Sequence, residues 1–246
     1  MANDIAEFFF QQPPFTRTLL LCMLLVIAAE KLRLISLLDL AFFYEFNLEI
    51  WRPFTTFIAL SGSTMNRLAD LYMIYTYSKG AETEKFAGRP ARYATYLLFV
   101  ASIVLFLNYF LGGFLLASAL VVALQYTWAQ DHLNTPVSFL FGIKFKAAYL
   151  PLVSLAMKLL VEGQEPAEWA ATGLIAAHLY LFLDEIYPKA IGSSSFVVTP
   201  KWLESLLPPT GAVGRSTSGY VYSRPDRNPP APPKRGFTGR GHRLGD

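Results

Sequence analysis

The chain has a single cysteine, Cys22, among 246 residues. No disulfide closes within it, and nothing about redox compartment follows. Charge is also scarce: 16% of residues are Asp, Glu, Lys or Arg, against 53% hydrophobic. With a mean hydropathy of +0.35, this composition excludes a disordered chain and argues against an ordinary soluble domain. Met1 to Pro14 carries Asp4 and Glu7 but no Lys or Arg. It lacks the basic start of a cleaved signal peptide, so the first apolar run is expected to act as its own insertion signal. Zinc-ligand spacing, a phosphate-binding glycine loop and nucleic-acid motifs are missing too. The sequence therefore leads to no metal, no cofactor and no nucleic-acid partner.

What is present is a series of apolar runs near bilayer length, the mark of an all-α, polytopic membrane protein. Pro13-Pro14 stops any earlier helix, and Thr16 to Ala29 reads as span one. An interfacial segment follows to about Ser63. Span two runs from Thr64 to Tyr77, with Arg67 and Asp70 three apart and placed to pair on one face. Ser78 to Pro90 reads as a polar loop. Tyr93 to Trp128 holds no charge and is too long for one span. It breaks at Gly112-Gly113 into spans three and four. Ala129 to Lys146 reads as a loop and Ala147 to Val161 as span five. Glu162 to Pro166 forms a turn, and Trp169 to Tyr187 is span six, closed by Pro188. Six spans over residues 1–190 thus precede a tail, 191–246, rich in Gly, Ser, Pro and basic residues and expected to be disordered.

Basic residues orient the chain. Arg17, Lys79, Lys85, Arg89, Arg92, Lys144, Lys146 and those of the tail fall on one side. Lys31, Arg33 and Arg52 fall on the other, with Arg67 near them. The positive-inside rule then puts both termini in the cytosol. Two spans are short. Beyond its charged start, span two keeps only Leu68 to Tyr77, and span five keeps Ala147 to Met157 before Lys158. Each is about half of the roughly 20 residues that a bilayer requires. Such helices thin the bilayer, snorkel their ends or lie beside water.

Individual residues carry less. Trp51-Arg52, in the interfacial segment, keeps polar tips wet and apolar bodies dry, and Arg52 can give its fork of donors to backbone carbonyls. Asn66, Asn108, Gln125 and His178 are polar groups within spans, the residues of a cavity or of interhelical hydrogen bonds. Ser118 and His178 are the one pair that would make an intramembrane serine protease. Their depths, ~7 Å and ~13 Å from one side, permit a meeting. Yet Ser118 has no glycine two residues earlier to make room for an oxyanion, and no third group orients His178, so no catalytic residue is assigned. Gly173 and Ala177, four apart, form a face that lets another helix approach closely.

With these residues placed, the chain resembles the derlin family, relatives of rhomboid proteases that have lost catalysis. The resemblance is carried by Pro13-Pro14-Phe15-Thr16-Arg17 at the start of span one and by Trp51-Arg52. It continues in Tyr75-Thr76-Tyr77-Ser78, in Glu82 through Phe86-Ala87-Gly88-Arg89, and in Ala177 through Pro188. Ala177 departs from the glycine usual in the family before that histidine. The resemblance implies a six-transmembrane-helix rhomboid-like fold in the endoplasmic reticulum membrane. It also implies a non-enzymatic role in returning misfolded lumenal or membrane proteins to the cytosol, alongside a membrane ubiquitin-ligase complex.

The tail adds a second resemblance. Phe237-Thr238-Gly239-Arg240-Gly241-His242-Arg243-Leu244 is similar to the box by which some derlins recruit the valosin-containing-protein-type AAA+ ATPase. Phe237 and Leu244 suit two apolar pockets, while Gly239 and Gly241 let the backbone approach closely. The alternatives are an active rhomboid-type protease using Ser118 and His178, and a membrane scaffold that conducts nothing.

Overall fold

In the computed structural model the described residues are 9, 11–43, 49–138, 144–192 and 196–208. The first helix, α1 (Pro14–Lys31), opens on a proline, where the missing N–H would have had no partner in any case. Two short helices follow in the interfacial segment. They are α2 (Leu37–Leu40), held by a Ser36/Asp39 capping box, and α3 (Arg52–Thr55). Helix α4 (Thr64–Gly80) starts where the Ser63 hydroxyl accepts from the Asn66 amide. It then runs on through a π-helical turn, Ala81–Lys85. The polar loop expected from Ser78 is therefore helical as far as Lys85. Its charges do not end the helix, because Glu82 and Lys85 find partners on neighbouring elements and Lys79 meets Tyr75 one turn back.

The uncharged stretch divides as its glycines predict. Helix α5 (Pro90–Leu111) ends at Gly112, whose φ of 71° is the left-handed cap that glycine adopts without strain. Helix α6 (Ala117–Asp131) follows. The expected loop after it holds a small antiparallel hairpin, β1 (Pro136–Ser138) and β2 (Lys144–Lys146), with Val137 opposite Phe145. Helix α7 (Leu150–Glu162) is separated from α8 (Gln164–Leu181) by Gly163 alone, at φ 99°. Pro188 does not close the sixth run. A second π-helical turn, Phe182–Ile186, leads into α9 (Tyr187–Ile191), where Pro188 sits in the first turn and is tolerated.

Helix α10 (Lys201–Leu206) lies beyond residue 190, and its buried Leu203 packs on Ala91 and Ala94 of α5. The chain divides into two units, Met1–Gly211 and Ala212–Asp246. The second lies outside the described residues, and so does the box at 237–244.

Six helices of 13 to 22 residues form the bundle. Helices α6 and α8 make its most extensive interface; α5 and α7 flank α8, and α1 lies on α4. Near the hairpin the core is aromatic, with Phe86, Tyr93, Tyr96 and Tyr180 in mutual ring contact. Toward the Arg52 end it is aliphatic, around Met23, Leu60, Ile74 and Val121. The exterior is apolar as well: Leu24 and Leu25 on α1, Phe106 and Phe110 on α5, and Leu152 and Leu160 on α7 are all exposed. In water that surface would be an association or aggregation hazard; in hydrocarbon it is ordinary. Among the described residues, only α5 is long and apolar enough to cross a membrane by itself.

Candidate functional site

Helix α7 brings one cation into the bundle. Lys158, whose side chain is 9% exposed, places its ammonium 3.3 Å from Asp70 of α4 and 3.0 Å from Glu162, one turn further along α7. The same Glu162 oxygen accepts from Nδ2 of Asn66, in the first turn of α4, at 3.1 Å. Helices α4 and α7 each pack on α6, and these side chains bridge them in front of it. Behind the bridge lies a cavity of about 100 Å³, reached by Met73 of α4, Val121 and Gln125 of α6, and Ser154 and Met157 of α7. Gln125 is 1% exposed. Its Oε1 and the Ser154 hydroxyl are buried without a hydrogen-bond partner. An unsatisfied buried polar atom costs about 1–3 kcal/mol. With two carboxylates against one ammonium, the cleft carries one formal negative charge.

Asn66 and Gln125 stand out in the sequence as polar groups within spans, whereas Lys158 marks there only the end of an apolar run and Asp70 a charge placed to pair with Arg67. The signal was available: two short runs, each broken by a charge of opposite sign. Arg67 does not pair with Asp70 as their spacing predicts. It makes a bidentate pair with Glu30 at the end of α1, which leaves Asp70 to Lys158.

The other intramembrane polar residues serve interhelical bonds. Asn108 donates to the Val104 carbonyl and, at 2.8 Å, to the Thr172 hydroxyl, tying α5 to α8. Nδ1 of His178 lies 2.6 Å from the Tyr126 hydroxyl of α6. Tyr126 is eight residues along α6 from Ser118, about 12 Å at 1.5 Å per residue. His178 therefore meets α6 two turns away from Ser118, and the two do not form a dyad. Gly173 faces Ala119: a Cβ there would come within 2.6 Å of the Ala119 carbonyl carbon. Ala177, one turn on, is fully buried beside it.

The interfacial segment is held from within. Arg52 Nη1 donates to the carbonyls of Leu38 and Ala41 at 3.1 and 2.9 Å, and Nε donates to Glu49. The hydrogen bond to Glu49 raises the guanidinium above its ordinary value, so it stays charged. Ile50, Trp51 and Phe54 around it are exposed, as suits a segment lying on a membrane surface. At the other end Glu82, in the π-helical turn after α4, accepts from the backbone amides of Phe15 and Thr16 and from the Thr16 hydroxyl, at 2.9 to 3.0 Å. A carboxylate from one helix thus caps the N-terminus of another. Lys85 reaches Asp131 and Glu185, and Arg92 grips Asp184 with both carboxylate oxygens.

Helices with charges gathered in an internal cleft and with an apolar exterior define a helical membrane protein. The chain belongs to the Der1-like family, whose profile matches residues 12–201. It is 36% identical over 214 residues to Derlin-1 of Homo sapiens, covering 84% of each chain. It is 30% identical over 266 residues to Derlin-1 of Arabidopsis thaliana, covering 98% of each. To Derlin-2.1 of Zea mays it is 28% identical over 239 residues, 87% of this chain and 94% of that one.

Proposed function

We propose that the chain is a factor of endoplasmic-reticulum-associated degradation that assists the return of misfolded lumenal or membrane proteins to the cytosol. The observation that carries this reading is the pair of helices bordering the cleft. Helix α7 has 13 residues, about 20 Å of helix against roughly 30 Å of hydrocarbon. Helix α4 has 17, with Arg67 and Asp70 inside its first two turns. In this reading all six long helices span the membrane, with both termini cytosolic, and the bilayer thins where α4 and α7 are short. The cleft between them opens sideways to lipid. The Trp51-Arg52 segment braces the lumenal side. The tail box, through Phe237, Gly239, Gly241 and Leu244, recruits the valosin-containing-protein-type ATPase that supplies force, beside a membrane ubiquitin-ligase complex. The chain itself catalyses nothing.

The test is turnover of one misfolded lumenal and one misfolded membrane protein in cells depleted of this chain. Turnover slows in the depleted cells. Full-length protein restores it; protein lacking residues 212–246 does not and loses the ATPase on co-purification. Unchanged turnover of both clients on depletion refutes the reading.

A further inference from the structure

We infer that the α4–α7 cleft selects clients by charge, docking a membrane-inserted client helix that carries a lysine or arginine within its apolar span. The inference rests on the retrotranslocation reading and names the client chemistry the cleft fits. Three observations carry it. Asp70, Glu162 and Lys158 leave one formal negative charge uncompensated beside the cavity, and every one of these side chains lies at its wall. Gln125 and Ser154 line the same cavity, each has a buried oxygen without a hydrogen-bond partner, and Gln125 is almost wholly buried. The cleft also lies between helices that meet through side chains, and Val161 in its lining is exposed. A helix arriving from lipid needs no passage through water to reach it.

A cationic side chain satisfies all of these at once. Its donors reach the unpartnered oxygens, and its charge balances the second carboxylate. A lone charge in hydrocarbon is costly, so a helix carrying one gains most from such a site. An anionic side chain meets Lys158 only by displacing a carboxylate, and an apolar one leaves Gln125 and Ser154 unsatisfied. Asp70 lies six residues into α4, about 9 Å from its start. The matching client position is therefore off-centre, nearer the Arg52 side of the bundle.

The experiment uses full-length protein in phosphatidylcholine vesicles and synthetic single-span helices of about 20 residues. These are alike except for Lys, Asp or Leu at one position about a third of the way across, and association is read by energy transfer between labels. The Lys helix binds at least about ten-fold more tightly than the Leu or Asp helix. Glu162→Gln, which neutralises the cleft, reduces that preference. Lys158→Gln, which makes the cleft more negative, increases it. Loss of fold cannot move the preference in opposite directions, so the pair of variants separates charge reading from structural damage. Equal binding of the three helices, a preference for Asp, or a Lys preference indifferent to both variants overturns the inference. Because no degradation is measured, a failure here with normal client turnover in cells removes the charge selection alone.

Discussion

Gly173 lets α8 come close to α6, because its Cα lies against the backbone of Ala119. Two helices at that distance gain dispersion contacts along their length, and Ala123 on α6 and Ala176 and Ala177 on α8 are fully buried at the same seam. Gly173→Val forces the seam apart and is expected to cost about 1–3 kcal/mol or more, read as a lower midpoint of unfolding in mixed micelles. Ala177→Gly, which removes a buried methyl, should lower it far less. Ser118 gives a second prediction at this scale. His178 is committed to Tyr126 two turns away, so a fluorophosphonate probe should leave the protein unlabelled. Labelling that disappears in Ser118→Ala would contradict the geometry. The sequence made Gly173, Gly112 and the polar residues inside spans legible, because small and polar side chains are rare in apolar runs. It did not reveal which polar residue meets which, since a partner on another helix leaves no trace in local spacing. Arg67 turning to Glu30 rather than Asp70 is the instance.

Between elements, charged side chains at each end tie one helix to the next. Glu82 caps α1 only because the π-helical turn carries it past the end of α4. Glu82→Ala leaves two amides of α1 unsatisfied and is expected to cost about 1–2 kcal/mol. The loss should appear first as faster hydrogen exchange at Phe15 and Thr16, while Glu82→Gln retains part of the protection. Exchange unchanged in Glu82→Ala would show that water replaces the cap without penalty. Helix positions were legible at this scale because apolar runs and glycine punctuation dictate them. The π-helical turns were not, because they depend on partners such as Asp131 and Glu185 for Lys85, and the hairpin was not, because it rests on a cross-strand pairing such as Val137 with Phe145. A run of charges such as Ala81 to Lys85 reads as loop until those partners are known.

In the whole molecule, residues 1–211 precede a tail that carries the box. In the proposed mechanism the box at 237–244 recruits the ATPase. Phe237→Ala with Leu244→Ala should abolish co-purification of the ATPase while leaving membrane insertion intact, whereas Arg240→Ala should weaken it little. Equal recovery from wild type and the double variant would remove the tail from the mechanism. In the interfacial segment, Trp51→Ala with Arg52→Ala should slow client turnover at equal protein levels, because Arg52 holds the segment through Leu38, Ala41 and Glu49. Normal turnover would reduce the pair to an anchor.

The central claim is that clients pass by the cleft between α4 and α7. A photo-crosslinking residue placed singly at Met157 or Val122 in the cleft, or at Phe110 on the exposed far face of α5, tests it most directly in cells where the ATPase is blocked and clients stall. Client adducts are expected from Met157 and Val122 and none from Phe110. Adducts from Phe110 alone, or from no position while turnover still depends on this chain, would contradict it.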